Sequence, residues 1–157
     1  MKKLFLLALV FIVTPTGARA DFFISAASSC SGSNTYSYQI GSSVSYPDLR
    51  VSVGESVSYP DIRIRTVTDP TRADLIFVDD SALDYSSRSQ VDMRVCKRTS
   101  YADKRIQVGN SVSYPDIRVR VGNSVSYPDY RLYYDSEKFS LEEAAGLFPA
   151  IWEFNKE

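Results

Sequence analysis

Seven aspartates recur along the middle of this chain: Asp48, Asp61, Asp74, Asp92, Asp103, Asp116 and Asp129. Arg50, Arg63, Arg94, Arg105, Arg118 and Arg131 each stand two residues beyond one of them. Carboxylates at regular spacing could hold calcium, which takes six to eight oxygens converging from a tight loop. Neither a DxDxDG nor a GGxGxD loop is present, and a cation following the carboxylate opposes that use. Zinc would have to rely on two cysteines, because the chain has no histidine. No GxSxG elbow exists for a nucleophile. Asp79 and Asp80 are a carboxylate pair of the kind glycoside hydrolysis uses, but in VDDS they read as the start of a turn. A periodic chain offers several similar places, whereas catalysis needs one singular constellation. The expectation is therefore a structural ladder with no catalytic residue, metal or cofactor. Opposite charges on neighbouring strands stabilise a sheet by up to about 1 kcal/mol per pair, and an Asp beside a corner can accept backbone N–H bonds.

Two other residue types carry chemistry. Tyr46, Tyr59, Tyr101, Tyr114 and Tyr127 recur just ahead of the aspartates. They either pack as a layer inside the fold or line a surface on which sugars stack. Cys30 and Cys96 are the two cysteines, and in an oxidising compartment two thiols pair. Their disulfide would tie the N-terminal segment to the repeats.

The elements that position these groups are repeats. GSSVSYPDLRVSV, GESVSYPDIRIRT, GNSVSYPDIRVRV and GNSVSYPDYRLYY begin at Gly41, Gly54, Gly109 and Gly122. RADLIFV, QVDMRVC and YADKRIQV continue the series through Asp74, Asp92 and Asp103, so seven units emerge. An excess of five residues around SALDYSSRSQ belongs in an exposed turn. After each Asp the residues alternate, with Leu49, Val51 and Val53 opposite Arg50 and Ser52, and Ile117, Val119 and Val121 opposite Arg118 and Arg120. That period of two predicts a half-buried strand. The Ser-Val-Ser-Tyr run alternates in the opposite phase, which predicts a second extended arm bent at Pro47, Pro60, Pro115 and Pro128. No unit can bury its apolar face or pair its N–H groups alone, so the seven must share a core, as a stack, a closed ring or an interwoven ring.

The xADxxIxV and xPDxRVxV units, as in RADLIFV, YADKRIQV and YPDIRVRV, resemble the septoil knot domain family over residues 40–135. The resemblance implies an all-β domain of pseudo-sevenfold symmetry whose chain path is a seven-crossing torus knot. The chain departs from the family pattern in Pro before Asp in four units, and in Ile76 where other units have Arg.

At the N-terminus, Lys2 and Lys3, the apolar run from Leu4 to Val13 and the triplet Ala18-Arg19-Ala20 read as a secretory signal peptide of residues 1–20, cut before Asp21. Its loss leaves 15 basic against 19 acidic residues, a net charge of −4, which gives no electrostatic reason to bind nucleic acid or a membrane. Residues 21–39 are expected as a flexible segment, 40–135 as the repeat domain and 136–157 as a helical tail. Ser140 and Glu143 form a capping box, and Gly146 and Pro149 are expected to interrupt the helix. The functional expectation is a secreted or periplasmic, non-enzymatic scaffold with a structural or recognition role. A lectin-like binder using the tyrosine corners is the alternative, and a glycan hydrolase the remote one. Its partner would be a glycan or a protein.

Overall fold

The computed structural model describes Ala20 and residues 22–154, with side chains through Trp152. The remainder of the expected leader and the expected cut at Asp21 lie outside the described residues. Among the described residues nine strands form: β1 (Phe22–Ala26), β2 (Thr35–Gly41), β3 (Leu49–Gly54), β4 (Ile62–Val67), β5 (Leu75–Asp79), β6 (Met93–Lys97), β7 (Lys104–Gly109), β8 (Ile117–Gly122) and β9 (Tyr130–Asp135). A single turn, α1 (Tyr85–Arg88), lies in the extra-long connection, and α2 (Leu141–Phe154) follows β9. The strands close into a barrel in the order β1-β5-β9-β4-β8-β3-β7-β2-β6, and every pairing is parallel.

Each of the seven Asp units contributes one strand, β3 to β9, and the sheet closes, but not as the sevenfold ring expected. The number of strands is nine, because residues 22–41 supply β1 and β2 and are not a flexible segment. Their alternation is short, but Ile24, Ala26 and Tyr38 point into the common core and are buried there. A second correction concerns the arm before each Asp. The Ser-Val-Ser-Tyr runs are bends, and only the arm after the Asp is a strand.

Consecutive strands never touch. Each step along the chain moves two places round the ring, so a linker always passes one intervening strand. Parallel strands ordinarily need a crossover of a dozen or more residues. Here residues 55–61 suffice, because the strands are heavily staggered. Gly54, at the end of β3, is level with Arg120 of β8, and Ile62, at the start of β4, is level with Val119 on the other side of the same strand. The linker therefore only has to step over β8.

The alternation predicted for the strands holds: Val51, Val53, Ile64, Leu75, Phe77, Val119 and Leu132 point inward and are buried. The interior is filled by α2. Residues 144–150 are buried without a break over two turns, so no face of the helix meets solvent, and it occupies the barrel lumen. Ser140 and Glu143 make the capping box in both directions, at 3.2 and 2.7 Å. The helix runs unbroken through Gly146 and Pro149, contrary to expectation. Gly146 is needed for approach to the wall, since a Cβ there would lie 2.8 Å from Val108. Packing in the lumen outweighs the bond that Pro149 cannot donate. Phe148 faces the opposite wall, edge-on to Phe22 and Phe77 at 6.4 Å from each. At the strand ends, Asp79 accepts from Ser136 Oγ at 2.5 Å and the Glu137 N–H at 3.0 Å, holding the turn that redirects the chain inward.

Candidate functional site

All seven predicted aspartates make the same clamp. The N–H of Asp48 donates to the carbonyl of Arg105 at 2.7 Å, and the N–H of Arg105 donates back to Asp48 Oδ2 at 2.8 Å. Asp61 pairs in this way with Arg118, Asp74 with Arg131, Asp92 with Phe23, Asp103 with Ser37, Asp116 with Arg50 and Asp129 with Arg63. The partner always lies near the start of the neighbouring strand, where the stagger leaves an N–H facing no backbone carbonyl. The carboxylate supplies the missing acceptor, a bond worth about 1 kcal/mol net. Hydrogen bonds from the backbone and hydroxyl of Ser37 hold the Asp103 carboxyl below its ordinary range. The Arg131 side chain does the same for Asp74.

The charge ladder expected from Asp and Arg is mostly this backbone clamp. Arg131 makes a full ion pair with Asp74 at 2.8 Å, and Arg105 a long one with Asp48 at 4.0 Å. Arg94 turns to Asp80, also at 4.0 Å. Arg50, Arg63 and Arg118 form no ion pair among the described residues and project from the surface.

The fourth position of several strands lies under a passing linker and fastens it. Arg120 on β8 donates from Nε and Nη2 to the Val57 carbonyl at 3.1 and 2.7 Å. Arg65 on β4 holds Val125 likewise, and Gln107 on β7 holds Ser42. On β6 the corresponding residue is Cys96, bonded to Cys30 in the linker above it, with 5.4 Å between the Cα atoms. The expected disulfide is thus one of a set of linker fastenings, and the one made covalently.

These fastened linkers carry the tyrosines. Tyr46, Tyr59, Tyr101, Tyr114 and Tyr127 are 86–95 % exposed, which rules out the internal layer. All five adopt the left-handed backbone conformation, with φ between 49° and 53°. That conformation costs a residue with a Cβ about 1–2 kcal/mol, and a bulky side chain there is an outlier. The linker between β1 and β2 has Asn34 in the same conformation, φ 64°, a residue that tolerates it. With the five rings this exposed, nothing in the fold contacts them enough to require Tyr.

The ring order places the five corners together. Tyr127 rides over β4, Tyr59 over β8, Tyr114 over β3, Tyr46 over β7 and Tyr101 over β2, and these five strands are consecutive in the barrel. Where the stagger is two residues, as between Ile62 and Val119 or Val51 and Ile117, equivalent corners are on the order of 8 Å apart at the backbone. The strands of the same wall carry the exposed Arg50, Arg63 and Arg118, and Asp61, Asp116 and Asp129 use Oδ2 in their clamps. The result is a belt of exposed tyrosines along one wall.

The opposite wall differs. It carries the disulfide loop, the long connection containing α1, and an apolar groove of about 390 Å³ over β5. Inside the barrel, burial pushes the Tyr38 hydroxyl up to about 12. Asp79, the expected carboxylate partner of Asp80, is committed to the turn before α2. Its burial works to raise the carboxyl, but bonds from Ser136, Glu137 and Lys138 outweigh that and hold it low.

Two unit heads escaped the sequence reading. Thr35, level with Arg94, holds the head position of β2, and in sequence Asp21 precedes β1. Arg19-Ala20-Asp21 also repeats Arg72-Ala73-Asp74. That triplet was a usable signal, obscured because the same residues satisfy a cleavage pattern. No family model, curated protein or solved structure matches this chain.

Proposed function

We propose that this chain is an exported, non-enzymatic recognition protein that binds an extended glycan along its tyrosine belt. The observation that carries this reading is the pairing of exposure with backbone strain: five aromatic rings are kept in solvent at positions where a smaller residue would fold more easily. Such strain, when the surrounding structure over-determines it, clusters at ligand sites. Tyrosine offers an apolar face to the C–H surface of a sugar ring at low entropic cost. The free Asp oxygens and Arg guanidinium groups beside it suit sugar hydroxyls. Each unit has one carboxylate and, in most cases, one guanidinium, so the belt favours a hydroxyl-rich polymer over nucleic acid. The disulfide fits an oxidising compartment, and among the described residues no helix is long and apolar enough to cross a membrane.

One weak site repeated five times should bind by avidity, so affinity should climb steeply with ligand length. Calorimetric titration with oligosaccharides of increasing length, and co-sedimentation with insoluble polysaccharides, test this. Equal affinity for a monosaccharide and a long oligomer, or no binding to any polymer at millimolar sugar, refutes the reading and leaves a purely structural scaffold.

The proposal extends to the path of the chain. Strands β1 to β5 make a first lap of the ring and β6 to β9 a second, and the linkers of each lap pass outside strands of the other. That alternation supports a torus-type path, with eight linkers crossing strands where the resemblance to septoil knot domains implies seven crossings. Pulling the reduced chain from both ends would test it, since a tied chain extends to less than its full contour length.

A further inference from the structure

Eight linkers join the nine strands, and each passes outside the strand lying between the two it joins. Among the described residues only β5 has no linker over it, because β9 hands the chain to α2 instead of stepping on. Its outer face is also the odd one. Where β3, β4, β7 and β8 carry Arg50, Arg63, Arg105 and Arg118, β5 has Ile76, followed by Val78 where others have a polar fastening residue. These two, with Ala20, Phe23, Leu83 and Tyr133, line the groove of about 390 Å³.

The winding says what belongs there. Continued backwards by one step, the chain reaches β1 from across β5, as residues 68–74 reach β5 from across β9. The two segments are alike: Pro70-Thr71-Arg72-Ala73-Asp74 against Pro15-Thr16-Gly17-Ala18-Arg19-Ala20-Asp21. Ala73 is buried, 6 % exposed, and Ala20 is half-buried and lines the groove. Six extended residues reach up to about 20 Å, enough to pass one strand.

We propose that the groove over β5 is the seat of this chain's own residues 15–20, the ninth crossing of the wall, and that cutting the chain before Asp21 unseats it. Processing then does more than release the protein. It converts a covered apolar strip into an open site for a short, small-residue extended peptide, on the wall away from the tyrosine belt. The inference is independent of what the belt binds.

The test compares two chains with the disulfide formed, one starting at Pro15 and one at Asp21. The longer chain should have the higher melting temperature and slower amide exchange in β5. The synthetic peptide PTGARA should raise the melting temperature of the shorter chain saturably and leave that of the longer chain unchanged, while a scrambled peptide does neither. Ile76→Arg installs the residue that other strands carry at this position, so the barrel should fold, and the peptide effect should vanish. Identical melting and exchange for the two chains, or a peptide effect equal in both, overturns the proposal.

Discussion

Replacing an exposed tyrosine with asparagine should stabilise this protein. Tyr59 is the clearest case: its ring is 92 % exposed, so truncation forfeits almost no buried area, and its φ is 50°. A residue with a Cβ pays about 1–2 kcal/mol for that conformation, a cost asparagine partly escapes. Tyr59→Asn is thus expected to gain about 1 kcal/mol, or about 2–4 °C in melting temperature for a chain of this size. Two further variants separate the causes. Tyr59→Ala keeps the Cβ strain and should stay within about 0.5 kcal/mol of wild type. Tyr59→Gly removes the strain but adds backbone entropy to the unfolded chain, about 0.5–1 kcal/mol, and should gain less than Asn. Equilibrium urea denaturation of the oxidised proteins, followed by circular dichroism, reads all three. A loss of more than about 1 kcal/mol in the alanine variant would mean that the ring is held by the fold, and the functional argument from exposure and strain would fail.

Three other outcomes follow from particular contacts. The Asp103 carboxyl is held low in the folded state, so its contribution is present above the ordinary carboxylate range and is lost as pH falls through the depressed value. Asp103→Asn should therefore lower stability at neutral pH and flatten the acid limb of a stability-against-pH curve, whereas an unchanged acid limb would contradict the clamp. Removing the disulfide by Cys30→Ser with Cys96→Ser should cost up to about 4 kcal/mol on the loop-entropy model for a separation of 66 residues, measured by urea midpoint. Gly146→Ala places a Cβ 2.8 Å from Val108, and strain of about 1–3 kcal/mol should outweigh the roughly 1 kcal/mol that alanine gains in a helix. A net stabilisation would mean that α2 is not confined by the wall.

How much of this was legible beforehand depended on the range of the interaction. The strands after each Asp were readable because Leu49, Val51 and Val53, and their counterparts, carry the alternation locally, and the capping box at Ser140 and Glu143 is equally local. The partners were not readable. Asp48 clamps Arg105 and Asp116 clamps Arg50, over separations of 57 and 66 residues, and nothing near either Asp announces the other. The inclusion of β1 and β2 was missed because their short alternation resembles a polar tail until the ring requires them. The unbroken α2 was missed because Gly146 and Pro149 are helix breakers in solvent. In a lumen, Gly146 is what lets the helix sit beside Val108, and burial on all sides holds Pro149 in place. The recurrence of the tyrosines was plain, but repetition alone could not say whether they packed as an internal layer or faced outward.

The most direct measurement is made on one protein carrying Tyr→Asn at positions 46, 59, 101, 114 and 127, with folding and polysaccharide binding read from the same sample. The account predicts a barrel at least as stable as the parent that no longer binds a polymer the parent retains. A variant that is equally stable and binds that polymer with undiminished affinity would contradict it.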